Sequence, residues 1–420
     1  MSGKTIVEKI LTRASGADAT AGDRVWANLD LAVVRDFGGP NVVLEYEQQM
    51  GDRPVWDPDR IAMTFDYQAP AKVVKVAANQ RLCREFAARQ GIRGVYDVHR
   101  GIGQHVLLEA GKILPGGAVI GTDSHMNLLG AVGNFSTGMG TTDVAAGWSA
   151  GKLWFRVPHT IKITFTGGYE WPTTAKDLAL YLLGTIDRSQ AIYKSLEFYG
   201  PVIEALDLAG RLTLCSLVTE MEGKIGLIVP DNELLDWLSE RAGYQVEAVT
   251  ADPDATYWAE WEYDVSGLEP QIAVPHHPHN VKPVREVQKQ GVKVDEVFIG
   301  SCTNGRFEDL EAAAEVIEQM GGQVAPGVRL VITPATAEVA MQALEAGLYD
   351  TFIRAGGMVT NQGCSLCTIG HHGVLAPGDV LVSTSNRNFQ GKLGKGASVY
   401  LASPVVAAAT AVRGEIGLPA

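Results

Sequence analysis

Cys302, in Ile299-Gly-Ser-Cys-Thr-Asn-Gly-Arg306, and the pair Cys364 and Cys367, in Gly363-Cys-Ser-Leu-Cys367, are three thiols with no fourth cysteine nearby in the sequence. Three thiolates suit an iron–sulfur cluster that leaves one iron open. An open iron can hold a substrate oxygen and act as a Lewis acid, whereas a fully ligated cluster or a closed four-ligand zinc site serves electron transfer or structure. The pattern points to an enzyme. Two other uses of the thiols stay open. Cys364 and Cys367 could be a redox pair, which would need a helix start in a small domain and leaves Cys302 without a role. A zinc site would need His371 or His372 as a fourth ligand.

Elements able to position these residues follow from periodicity. Val297-Phe298-Ile299-Gly300 reads as a buried strand, Ser301 to Arg306 as a polar loop, and Phe307 to Met320 as a helix. In that helix Leu310, Ala313, Ala314 and Ile317 recur at helical spacing, and Gly321-Gly322 ends it. The layout repeats: Leu330-Val-Ile332 precedes Thr333-Pro-Ala335, Leu381-Val382 precedes Ser383 to Arg387, and Ala118-Val-Ile-Gly121 precedes Thr122-Asp-Ser-His125. Strands feeding loops and then helices predict a doubly wound parallel α/β sheet, whose ligand sites lie beyond the carboxyl ends of the strands. A further helix is predicted over Ala71 to Arg89 from the stripe Val74, Ala77, Ala78, Leu82 and Phe86, ended by Gly91. Between Ala251 and Val284 the pattern breaks, which makes this stretch the linker candidate. Its Pro275-His-His-Pro-His279 could bind metal, but the interleaved prolines and the absence of a nearby cysteine favour a solvated loop.

At 420 residues the chain is long enough for roughly two to four domains. A hydrophobic content of 46%, a charged content of 20% and no apolar run of membrane-spanning length describe a soluble globular protein. The start lacks an apolar signal core and five cysteines make no disulfide framework, so a reducing cytoplasmic location is expected, with Cys83 and Cys215 as small core hydrophobes. A net charge of −13 without a Lys/Arg run argues against nucleic acid. An acidic enzyme acting on small carboxylates must gather its cations inside the site, which singles out Arg306 and Arg387 beside the cysteine motifs.

Five motifs in order, Val119-Ile-Gly-Thr-Asp-Ser-His125, Ile299-Gly-Ser-Cys-Thr-Asn304, Gly363-Cys-Ser-Leu-Cys367, Ser383-Thr-Ser-Asn-Arg-Asn-Phe389 and Leu401-Ala-Ser-Pro-Val-Val-Ala-Ala-Ala-Thr-Ala411, resemble the aconitase superfamily. The likeness is greatest to large subunits of the 3-isopropylmalate dehydratase and homoaconitase group, and it covers nearly the whole chain. The resemblance implies a 4Fe-4S cluster on Cys302, Cys364 and Cys367, and three α/β/α domains around a central cluster cleft, drawn at 1–158, 159–285 and 286–420. It also implies that a mobile fourth domain, with the family's serine base, resides in a separate small subunit, so that the chain acts only with that partner. The implied reaction is dehydration and rehydration of a small 2-hydroxy di- or tricarboxylate, by default 3-isopropylmalate. A divergent hydratase of the citramalate, dimethylmalate or maleate type, or a non-catalytic iron- or oxygen-sensing cluster protein, are the alternatives.

The resemblance also distributes roles. Asp66, Tyr67, Asp123, His125 and Glu220 fall at catalytic positions, with His125 and Glu220 as a hydrogen-bonded pair that tunes a proton donor. Ser124, Asn304, Asn386, Arg387 and Lys392 fall at substrate-binding positions. Structural uses stand beside these: Asn304 and Asn386 as turn formers, Arg387 as a surface ion pair, and His125 as a satisfied histidine. Several positions depart from the family. Asp66-Tyr67 stands for a usual Asp-His, Gln104-His105 for His-Gln, Lys392 for an arginine, Ser216 for an asparagine, and Arg35 for a neutral polar residue or histidine. A phenol with a pKa near 10 is a poorer acid than imidazolium at neutral pH. The scaffold and thiols are intact while the proton-handling positions are rewritten.

Overall fold

The computed structural model describes residues 3–369 and 372–419. The chain divides into two compact units, each assembled from separated stretches of sequence. The first takes residues up to Val98, Gly103–Thr166 and Asp187–Tyr263, and the second takes His99–Ile102, Gly167–Ile186 and the chain from Asp264 on.

The strands of the first unit are β1 (Arg24–Asn28), β2 (Leu31–Arg35), β3 (Ile61–Thr64), β4 (Gly94–Tyr96), β5 (Ala118–Gly121), β6 (Phe135–Gly138), β7 (Lys152–Arg156), β8 (Thr160–Thr166), β9 (Ser195–Tyr199), β10 (Ile225–Leu227) and β11 (Ala259–Asp264). A five-stranded sheet runs in the order β4-β3-β2-β5-β6, and every pairing in it is parallel. Residues of β3 and β5 are buried throughout, as befits parallel strands covered on both faces. The order reverses between β2 and β5, so the loops after these two strands, carrying Asp36 and Thr122 to His125, leave a topological switch point. A four-stranded sheet, β10-β9-β8-β11, and an antiparallel β1–β7 ribbon complete the unit. Phe86 and Trp148 stack at 5.4 Å in its core, which includes Cys83. Burial pushes the Cys83 thiol up to about 12 and raises that of the fully buried Cys215, so both are inert core groups.

The second unit is built on β12 (Gln271–Ala273), β13 (Val281–Pro283), β14 (Glu296–Ile299), β15 (Arg329–Ile332), β16 (Met358–Val359), β17 (Val380–Ser383) and β18 (Ser398–Leu401). Its order is β13-β12-β18-β17-β14-β15-β16, parallel from β18 to β16. The direction of winding reverses between β17 and β14, which pair Phe298 with Ser383 in register. The loop after β14 carries Cys302 and the loop after β17 carries Asn386 and Arg387. Both motifs therefore leave one switch point. The helix Phe307–Gln319 follows Cys302, and Asp309 in its first turn accepts the Arg306 N–H at 3.1 Å, which stops the loop and starts the helix.

The expected linker over residues 251–284 is corrected: it holds β11, β12 and β13. Ala-Glu-Trp-Glu-Tyr-Asp alternates in burial along β11, a period-2 edge strand masked by its acidic residues. The His276–His279 stretch is the turn between β12 and β13. Among the described residues no helix is long and apolar enough to cross a membrane.

Candidate active site

In the second unit, Cys302 and Cys364 are each only 4% exposed and Cys367 is half-buried. Both loops that carry them are held in conformations rare for side-chain-bearing residues: φ is +77° at Ser301, just before Cys302, and +44° at Ser365, just after Cys364. Such backbone persists only where surrounding contacts over-determine it. Thr384 supplies two of those contacts, accepting Gly300 N–H at 2.9 Å and donating to the Gly300 carbonyl at 3.0 Å. The buried Asn386 accepts from the Thr303 hydroxyl and turns its amide N–H toward Cys302 Sγ at 3.7 Å.

Lys176 lies in the first turn of the helix Ala175–Thr185, where a cation is disfavoured by the helix dipole. It is 1% exposed, and its ammonium donates to the carbonyls of Thr384 at 2.8 Å and Ser385 at 3.0 Å. Burial lowers it to about 8, while Asp309, Cys302, Asp177 and Cys367 pull the other way. A buried ammonium thus braces the Asn386 loop within electrostatic reach of two of the three thiols. Among the described residues no three His, Cys, Asp or Glu side chains converge as ligands of one metal ion, and His371 lies outside the described residues. A cubane spreads its thiolates over separate irons, so its donors need not converge on one point.

Of the other second-unit candidates, Asn304 donates to Asp309 at 2.9 Å and so ties the Cys302 loop to its helix. Arg306 is largely buried, and among the described residues its Nε and Nη1 lack hydrogen-bond partners. Arg387 is half-buried with its guanidinium 6.0 Å from the Phe389 ring, and Lys392 is half-buried in the same segment.

In the first unit the loops after β2, β3 and β5 gather a charged group. Asp66 is 1% exposed, and burial pushes its carboxyl up to about 6 against the pull of Arg35. Arg35 Nε donates to Asp66 Oδ1 at 3.0 Å, Gly103 N–H reaches Asp66 Oδ2 at 2.8 Å, and the far end of Arg35 pairs with Asp123. The same guanidinium lies 5.1 Å from the centre of the Tyr67 ring, which also packs against Phe37 at 4.5 Å. Asp36 shapes this corner by accepting the N–H groups of Asp66, Tyr67 and Gln68 and the amide of Gln80. His125 Nε2 lies 2.9 Å from Glu220 Oε1, its backbone N–H donates to Asp123 at 2.7 Å, and its Nδ1 faces the exposed Ser124 hydroxyl at 3.3 Å. The expected His125–Glu220 pair is therefore formed. Gln104 and His105 are both buried on the helix Gly103–Glu109.

The family model for the aconitase family (aconitate hydratase) matches residues 8–414. The chain belongs to the aconitase family. It is 47% identical over 418 residues to the 3-isopropylmalate dehydratase large subunit 1 of Methanopyrus kandleri, covering 99% of both chains. It is 43% identical over 419 residues to the probable methanogen homoaconitase large subunit of Methanothermobacter thermautotrophicus, covering 99% of this chain and 97% of that one. Among solved structures it resembles the holo-form of aconitase X from Thermococcus kodakaraensis, with a TM-score of 0.52, 12% identity and 86% and 84% of the two chains covered. That likeness shows the fold alone. The expected mixed α/β fold with parallel sheets and the expected aconitase-family hydro-lyase large subunit are both borne out.

Sequence reading missed Lys176 and the bridging role of Arg35 in this aconitase-family chain. The signal for Lys176 was present: a lysine in the first turn of a helix, beside Asp177, runs against the dipole. Arg35 stood out as a departure, but its two carboxylate partners lie 31 and 88 residues away.

Proposed function

We propose that Cys302, Cys364 and Cys367 hold a 4Fe-4S cluster and that the chain dehydrates and rehydrates a small 2-hydroxy di- or tricarboxylate, by default 3-isopropylmalate, together with a small subunit. The observation that carries this reading is the setting of Cys302: an amide N–H on its sulfur and a buried ammonium nearby, which favour a thiolate ligand. When bound, such a cluster supplies a Lewis-acid iron that makes a hydroxyl a better leaving group. Lys176, Thr384 and Asn386 keep the loop in place, and Arg306, Arg387 and Lys392 supply cations for substrate carboxylates. Ser124 and Asn304 complete the proposed substrate-binding set.

In the first unit the Glu220 carboxylate fixes the His125 ring with Nε2 toward it, which leaves Nδ1 facing Ser124. The pair holds a proton at a defined atom. Asp66, with its raised carboxyl, Tyr67 and Asp123 form a second proton-handling group around Arg35. That arrangement supports a divergent member of the family, acting on a citramalate-, dimethylmalate- or maleate-type acid, as the second reading. The five-, four- and seven-stranded sheets support the three-domain division at 1–158, 159–285 and 286–420, except that β12 and β13 pair into the sheet of the third. A cytoplasmic site of action belongs to the same proposal.

The test is anaerobic reconstitution with iron and sulfide, addition of the small subunit, and an ultraviolet assay for the unsaturated acid across a panel of 2-hydroxy acids. Turnover that needs both cluster and partner is expected. A fully loaded pair that turns over no member of the panel would overturn the catalytic reading in favour of a sensor. One zinc with no labile sulfide would overturn the cluster.

A further inference from the structure

A cavity of about 350 Å³ in the first unit is lined by Thr122, Ser124, Asn127, Thr137, Thr219 and Lys224, among others. Hydroxyls, an amide and one ammonium face it, and none of its described lining residues is acidic. Its size is that of a site for a small organic molecule.

Lys224 is half-buried between the rings of Tyr193, at 5.4 Å, and Phe155, at 6.0 Å, and forms no ion pair among the described residues. Burial lowers its ammonium to about 8, with Asp143 supporting the charge only from a distance. A partly desolvated cation with no carboxylate in direct contact attracts an anion. Asn127 adds a second, independent sign. The Thr219 hydroxyl lies 2.8 Å from its Oδ1 and 3.0 Å from the Ser124 carbonyl, sharing one proton between them, and the opposite end of the amide, Nδ2, is buried without a hydrogen-bond partner. A buried donor left over beside a cavity calls for an acceptor that the protein does not provide.

We propose that this cavity is a carboxylate-binding pocket, with Lys224 as counter-ion and the Asn127 amide and neighbouring hydroxyls as donors, for one carboxylate of a small organic acid. Ser124 is shared with the proposed substrate-binding set, so the pocket rests in part on that reading, while Lys224, Asn127, Thr137 and Thr219 are groups that reading does not use. The acid could be the substrate itself or a separate metabolite, and the two sources share this chemistry.

Malonate is the probe, titrated calorimetrically into the full-length chain. Saturable 1:1 binding is expected, weakened at least tenfold by Lys224→Gln and restored to within about threefold by Lys224→Arg. In unmodified protein malonate should also protect Lys224 from reductive methylation, read by mass spectrometry, which keeps the test valid should a variant misfold. No saturable binding, equal affinity in Lys224→Gln, or labelling of Lys224 that malonate leaves unchanged would each overturn the pocket. In the reconstituted two-subunit enzyme, inhibition that raises KM alone and disappears in Lys224→Gln assigns the carboxylate to the substrate. Any other inhibition pattern assigns it to a separate acid.

Discussion

Replacing Arg35 by methionine removes the cation shared by Asp66 and Asp123 while keeping most of the apolar stem. The rise of the Asp66 carboxyl from 3.8 to about 6 is the net of burial, foremost, and of the neighbouring Asp36 and Asp123 charges, against Arg35 and the Gly103 N–H. At 1.36 kcal/mol per pH unit that is about 3 kcal/mol. Because the folded state holds this proton more tightly than the unfolded chain, the contribution of Asp66 to stability is fully present below 3.8 and is lost as pH rises through about 6. Above that pH the carboxylate depends on Arg35, and stripping one partner from a buried pair costs about 3–5 kcal/mol. For a unit of this size about 3 kcal/mol lowers Tm by roughly 6–12 °C. Thermal unfolding followed by tryptophan fluorescence should show that loss in Arg35→Met at pH 7.5 and a clearly smaller one at pH 5, where Asp66 carries its proton. Adding Asp66→Asn should return most of the difference at pH 7.5. Equal losses at the two pH values, or no relief from the second substitution, would refute the idea that Arg35 compensates a charged Asp66.

Glu220→Gln keeps the shape of the His125 partner but removes its charge, so kcat should fall by about 10²–10³ with little change in KM, as stopped-time assays would show. Lys176→Met orphans the carbonyls of Thr384 and Ser385 at a cost of about 1–3 kcal/mol each, and should lower iron and sulfide content after reconstitution along with Tm. Arg387→Lys, which exchanges a two-pronged donor for a point charge, should raise KM at least tenfold with kcat within about threefold, measured against the best substrate of the panel.

Local patterns made the strand–loop–helix around Cys302 legible almost to the residue: the expected strand 297–300 is Glu296–Ile299 and the expected helix 307–320 is Phe307–Gln319. Both are short-range consequences of apolar spacing and glycine stops. The helix expected at 71–89 begins later, at Val74, after the cis Ala69–Pro70 turn. What spacing cannot reveal is which distant loops a sheet order brings together. The strand order β17-β14 sets Asn386 beside Cys302 across 84 residues, and Lys176 reaches Thr384 across 208. The motifs announced the thiols and the His125–Glu220 pair, whereas the partners of Lys176, Asp36 and Arg35 follow only from the fold, although Lys176 in a helix first turn and Arg35 as a departure were each visible as oddities. β11 was missed because glutamates and an aspartate on its exposed face concealed its alternation.

The neighbours that secure the Cys302 loop come late in the chain. Thr384 and Asn386 are translated 84 residues after their partners, and β17 takes its place beside β14, with β18 beyond it, only after more than eighty further residues have emerged. A nascent chain that already exposes Cys302 still lacks the clasp that holds that thiol in place. The seat of that thiol is thereby completed only when the strands and loops that follow it by some eighty residues have joined the sheet.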